Sequence, residues 1–174
     1  MPAMLEDLAG CGQPQPRGCL RALRRGLVMS FAPPNPNWAA RCRDNFDGQG
    51  VMGTFGVTVA TLDPGRVVLE MPFRADLTQQ HGFLHAGIVT TVLDSACGYA
   101  AFTLMPETAE VLTVEFKSNF LRPAAGERFR FVGEVLKPGR TLMVCEGKAF
   151  ADDKLISAMS ATMMVVEGRA GINS

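Results

Sequence analysis

The chain has 174 residues, 47% of them apolar and 20% charged, with 17 basic side chains against 17 acidic ones. That length supports one domain with one core, and the apolar share excludes a disordered chain. A formal charge of zero gives no long-range field for nucleic acid, which is not expected as a partner.

Residues 1–28 combine prolines, glycines and four arginines (Arg17, Arg21, Arg24 and Arg25) without strand or helix periodicity. The basic run follows an apolar start and no small-residue cleavage site is evident, which argues against a secretory signal. The expectation is an N-terminal extension that is disordered or reflects a misplaced start at Met1 instead of Met29, followed by a single domain over 29–174 with its core at about 50–167. Five cysteines (Cys11, Cys19, Cys42, Cys97 and Cys145) form an odd set without CxxC spacing. They read as reduced thiols of a cytoplasmic protein.

Trp38, Cys42 and Phe46 recur every fourth residue and predict a short helix ending at Gly48 and Gly50. Two runs of strand character follow, Thr54 to Thr61 and Arg66 to Phe73, joined by a turn at Pro64-Gly65. From Leu77 to Met105 the pattern changes. Ile88, Val89, Val92, Leu93, Ala96, Cys97 and Ala100 repeat at helical spacing, with Thr90, Thr91, Asp94, Ser95 and Gly98 between them. This is a long, largely buried helix. Its polar interruptions and short apolar run exclude a membrane span, which needs roughly 20 apolar residues.

Four further strands are predicted at about Val111–Leu121, Arg128–Leu136, Thr141–Ala151 and Leu155–Val166, broken by PAAGE, KPGR and ADDK. In the first, Leu112, Val114, Phe116, Ser118 and Phe120 alternate with polar residues, which predicts one buried face, covered by the long helix. The whole reads as an α+β domain in which an antiparallel sheet wraps one central helix.

Asp94 is the only residue between Leu77 and Met105 with a full charge at neutral pH. A carboxylate among apolar helix residues costs several kcal/mol unless it is paired or its pKa rises, so Asp94 is a candidate for acid–base or nucleophilic work. Just upstream, QQHGFLHAG (79–87) ends where the helix begins. Unpaired N–H groups of Ala86 and Gly87 at a helix start suit a developing oxyanion, and the Gln79 amide is a second donor. His81 and His85 have a spacing that can bind metal, but no third ligand accompanies them before Asp94 and Gly82 argues for a loop, so no metal is expected. His85 is expected to orient the loop by hydrogen bonding. Along a helix, Ala86 and Asp94 are separated by roughly 12 Å of rise. One chain does not easily bring both to one carbonyl, whereas two antiparallel helices about a two-fold axis do, and an obligate dimer is expected.

The run HGFLHAGIVTTVLDSACGYAA, with its HAG-x6-D spacing, resembles the HGG-x6-D signature of the hotdog thioesterases related to the phenylacetate-pathway and 4-hydroxybenzoyl-CoA thioesterases. The resemblance implies the hotdog fold and hydrolysis of an acyl-CoA to acid and CoA without a cofactor. Asp94 would be the nucleophile or general base, Ala86 the oxyanion donor and Gln79 its assistant. His85 would be the motif histidine, and Thr113 the hydroxyl that helps hold the attacking water. Asp94 would come from one subunit, and Gln79 with Ala86 from the other. Gly87, Arg122, Lys137, Arg140 and Thr141 are candidates for contacts to substrate and CoA. Ala86 stands where the family usually has glycine, and Gln79 where many relatives have asparagine. The expected assembly is a homodimer, with pairing into a homotetramer left open. Phe102, Phe120, Met159, Met163 and Met164 are candidates for an acyl tunnel. A non-catalytic acyl-CoA sensor and a hotdog dehydratase or hydratase are the alternatives.

Overall fold

The computed structural model describes residues 30–168. The expected extension over 1–28, and with it Cys11 and Cys19, lies outside them. Helix α1 (Trp38–Asp47) buries Cys42 and Phe46, as the four-residue spacing predicts. Its Arg41 donates to the carbonyl of Pro106 at 2.8 Å and lies 4.0 Å over the Phe102 ring, tying α1 to the far end of the central helix.

The strand predicted from Thr54 to Thr61 is corrected. Gly50–Phe55 forms a second short helix, α2, with Met52 buried beneath it. Gly56, at φ +71°, stops that helix in the left-handed region where glycine carries no Cβ penalty. Strand β1 then runs over Thr58–Asp63 and β2 over Arg66–Pro72, joined at Pro64-Gly65 with Gly65 at φ +76°. The mixture of Thr and Val after Gly56 supports a strand; the residues before it fold by packing Met52.

A 3-10 turn at Ala75–Leu77 and an irregular stretch lead into α3 (Ala86–Phe102), followed by β3 (Ala109–Phe120), β4 (Arg128–Lys137), β5 (Leu142–Ala151) and β6 (Lys154–Glu167). The six strands form one sheet in the order β1-β2-β4-β5-β6-β3, with antiparallel pairing throughout. Strands β4, β5 and β6 are joined by short hairpins and stay adjacent. Because α3 crosses the sheet between β2 and β3, β3 enters at the far edge. This is the hotdog arrangement.

Val89, Val92, Leu93, Ala96, Cys97 and Ala100 of α3 are buried against the sheet, as their spacing predicts. The helix lies unusually close to the strands because Gly133 of β4 and Gly147 of β5 stand opposite one another beneath it. A Cβ on Gly147 would come within 2.9 Å of the Cys97 sulfur and of Leu93, and one on Gly133 would collide with the Ala96 carbonyl. Both glycines therefore set the helix-to-sheet distance.

The single buried face predicted for β3 is also corrected. A bulge between Thr113 and Glu115 inserts Val114 into the strand. Thr113 stands opposite Met163 and Phe116 opposite Ala161, both buried, whereas Leu112 stands opposite Met164 on the other face. Directly opposed residues share a face, so the bulge puts Thr113 and Phe116 on the helix side and turns Leu112 away. Helix α3 meets β3 at Thr113 without covering the whole strand. Leu112, Val114, Phe116 and Phe120 remain between 44% and 51% exposed.

Candidate active site

The start of α3 is built by a tight turn. Gly82, at φ +80°, lets its own N–H reach the Gln79 carbonyl at 2.9 Å while the Gln79 N–H reaches the Phe83 carbonyl at 2.8 Å. The Gln79 Oε1 accepts the His81 N–H. That bond fixes the amide, so its NH2 end is the one left to donate outward. His81 sits in this turn and His85 immediately before the helix, so the two do not share a helix face.

His85 is the N-cap of α3, and its Nδ1 accepts the Gly87 N–H at 2.9 Å. This changes the expected pair of free donors. Gly87 is committed to the cap, and a Cβ there would stand 3.1 Å from the His85 ring nitrogen, so glycine is what admits the imidazole. Ala86, first residue of the helix, has no partner for its N–H among the described residues. The exposed Ala86 amide, at the positive end of the helix dipole, is the one placed to take an oxyanion.

Asp94 lies two turns further along the same helix, half-buried and within hydrogen-bond reach of edge strand β3. The Thr113 hydroxyl donates to its Oδ1 at 2.9 Å. Burial pushes the Asp94 carboxyl above the usual carboxylate range, and the Thr113 bond pulls in the opposite direction without cancelling it. The β3 bulge is what aims Thr113 at the helix; in an unbulged strand with the predicted phase its side chain would face the other way. Asp94 is thus oriented through one oxygen, leaving Oδ2 without a protein partner among the described residues.

Gln79, Ala86 and Arg122 line one recess of about 440 Å³, walled by Phe83, Leu84, Val89, Phe120 and Ile156. Asp94 and Thr113 do not line it. Within one chain, then, the Asp94 carboxylate and the Ala86 amide do not share this recess. Arg122 spends one guanidinium nitrogen on the Leu155 carbonyl at 2.7 Å. Lys137, Arg140 and Thr141 lie at the opposite end of the sheet, in and beside the hairpin joining β4 to β5.

Of the five residues expected to form an acyl tunnel, only Phe120 reaches this recess. Phe102, Met159 and Met163 are at most 2% exposed and belong to the core, while Met164 faces the other side of the sheet. Phe83, Leu84 and Val89 lie within the motif run, but their place in the recess was not legible because Phe120 and Ile156 close it from strands distant in sequence.

Residues 81–158 match the thioesterase superfamily. A solved thioesterase family protein from Silicibacter pomeroyi is 61% identical, with 75% of this chain and 99% of that one covered at a TM-score of 0.73. The chain belongs to the thioesterase superfamily. Among curated relatives of this thioesterase-superfamily chain, a Saccharolobus solfataricus protein provisionally named an esterase is 38% identical over 90 residues, 52% of this chain and 64% of that protein. Acyl-coenzyme A thioesterase 13 of Homo sapiens is 30% identical over 87 residues, 49% of this chain and 61% of the human one. The matches thus span less than two thirds of either relative. The superfamily match contains the turn at Gln79's partner His81, the His85 cap, Ala86, Asp94 and Thr113. No helix of the described residues is long and apolar enough to cross a membrane.

Proposed function

We propose that the protein hydrolyses acyl-CoA thioesters to free acid and CoA in a homodimer with two composite sites. Each site takes Asp94 and Thr113 from one subunit and Ala86 with Gln79 from its partner. The observation that carries this reading is the separation of two prepared half-sites on one helix: a half-buried carboxylate held by Thr113, and an unpaired helix-start amide about 12 Å away along the axis.

Antiparallel pairing of two β3 edges about a two-fold axis joins these halves. It puts the start of one β3 beside the end of the other, so the Arg140 end of one chain meets the recess of its partner. It also covers the exposed Phe116 and Phe120 and satisfies the open edge. In the joined site the thioester oxygen accepts from the Ala86 N–H and the Gln79 amide, where negative charge develops. Asp94 either removes a proton from water as the water attacks, or attacks the carbonyl itself to give an anhydride that water then opens. Either route consumes one water, breaks the C–S bond and releases CoA as the thiol. No cofactor is needed.

Arg122 at the recess mouth and Lys137 and Arg140 across the two-fold supply charge-assisted contacts for CoA phosphates. Thr141 adds a hydroxyl there, and Gly87 lets the substrate pass close to the backbone. The human relative is named for acyl-CoA, which supports the choice of thioester. The free buried thiols of Cys42, Cys97 and Cys145 suit a reducing cytoplasm.

The test is release of free thiol from short, medium, long and aryl acyl-CoAs by the wild type and by Asp94→Ala. Turnover of at least one substrate, cut by about 10²–10⁴-fold in the variant, is expected for loss of a general base. Binding without turnover on every substrate would replace hydrolysis with sensing.

A further inference from the structure

Helix α3 carries an interior glycine, Gly98, although glycine is less favourable than alanine inside a helix. Gly133 and Gly147 are glycines because a Cβ on either would strike α3. No such reason holds at Gly98. The residue is buried, yet a Cβ built on it meets no atom of the described residues within 4 Å, apart from the backbone of its own helix. Alanine would fit there and favour the helix, as it does nearby at Ala96, Ala100 and Ala101. The space beside Gly98 is therefore left for something outside the chain's own packing.

That space adjoins Asp94. Gly98 lies one turn beyond it, about 6 Å further along the axis and about 40° round it toward Ser95. On the Asp94 side stands Thr113, whose hydroxyl donates to the carboxylate at 2.9 Å. On the other side, the Ser95 hydroxyl donates to the Gln49 Oε1 at 3.2 Å and the Tyr99 hydroxyl to the Asn45 Oδ1 at 2.9 Å. These two bonds hold the joint between α1 and α2 against the helix. Phe102, one turn further, is 1% exposed beneath Arg41 and closes the far end. The room is short, about two turns from Asp94 to Phe102.

We propose that this space receives the acyl group and selects one with a single ring beside the thioester carbonyl, Gly98 being the residue that admits the ring. The inference rests on the proposed acyl-CoA hydrolysis. In that site the recess beside Ala86, with Arg122 at its mouth, is the CoA side, which leaves the acyl group to the Asp94 side. A ring joined to the carbonyl reaches about 5 Å, about one helical turn, and that is the step from Asp94 to Gly98. A flat ring needs width next to the reacting carbon, and the missing Cβ supplies it. A long straight chain needs length instead, and Phe102 stops it.

Thiol release from benzoyl-CoA, butanoyl-CoA and dodecanoyl-CoA by the wild type, Gly98→Ala and Gly98→Val tests this, with thermal melts and sedimentation velocity as checks on fold and assembly. The wild-type kcat/KM on benzoyl-CoA is expected to exceed that on either straight chain by about tenfold or more. Gly98→Val is expected to lose about tenfold or more on benzoyl-CoA and less than about threefold on butanoyl-CoA, as for added methyl groups in a fitted pocket. Gly98→Ala is expected to melt at or above the wild type and to show an intermediate ratio of benzoyl to butanoyl turnover. A folded Gly98→Val that keeps the wild-type ratio, or a wild type that prefers a straight chain, would overturn the proposal. So would a variant that loses the wild-type assembly mass, since the space would then belong to the partner subunit. A wild type without turnover on any acyl-CoA would instead reject hydrolysis itself, and this inference with it.

Discussion

Asp94 was visible in the sequence because a single charge in an apolar helix has few structural excuses. Its carboxylate is held by Thr113, whose proposed role the resemblance supplied and whose aim comes from a bulge that no periodicity announces. Replacing Thr113 with Val removes the bond that favours the ionised carboxylate, so the acid limb of kcat/KM should move to higher pH. Near the foot of that limb the rate should fall about tenfold, the worth of one hydrogen bond to a charged group. A pH–rate profile that keeps its position would detach Thr113 from Asp94. Burial raises the Asp94 pKa, so the stabilising contribution of its protonated form is present at low pH and is lost as pH rises through the folded-state value. At neutral pH the buried charge costs stability. Asp94→Asn should therefore melt higher than wild type at neutral pH, by about 2–4 °C per kcal/mol recovered, with the gap closing on acidification; paired thermal melts at neutral and acid pH check both signs. The partner of Gly87 was not legible, because the His85 rotamer decides it.

The four later strands were legible from period and turn chemistry to within two residues at their ends, and α3 from its period, although it starts at Ala86 and not at Leu77 where the segment was taken to open. What escaped was local geometry. The α2 segment carries too few residues for a helical period, and its Thr54 and Phe55 suit a strand equally well. In β3, Leu112, Val114, Phe116 and Phe120 read as one face only while the strand is assumed to be regular; one extra residue at Val114 splits them. Gly133 and Gly147 look unremarkable in sequence, yet facing each other across β4 and β5 they admit the helix backbone. Gly133→Ala should destabilise the fold by about 1–3 kcal/mol, the cost of overpacking a rigid site. Chemical denaturation checks this, and an unchanged midpoint would mean that α3 can shift outward without loss.

At the scale of the molecule, the proposed site is divided into two halves that do not meet within one chain. The order β1-β2-β4-β5-β6-β3 leaves β3 on an edge with large apolar side chains half-exposed, and the same α3 carries Ala86 at its start and Asp94 at mid-length. The sequence points to a dimer through helix rise and through the family resemblance; the proposed function puts its contact at this exposed edge. Ala86→Pro isolates the oxyanion donor, since proline at the first helical position deletes the N–H and is otherwise well tolerated there. That variant should lose about 10²–10³-fold in kcat. The most direct measurement is thiol release from a mixture of Ala86→Pro and Asp94→Ala proteins after their subunits have been exchanged. Composite sites predict recovery to about a quarter of wild-type activity, because half the dimers become mixed and each mixed dimer holds one intact site. No recovery, with exchange demonstrated, would contradict the two-subunit site.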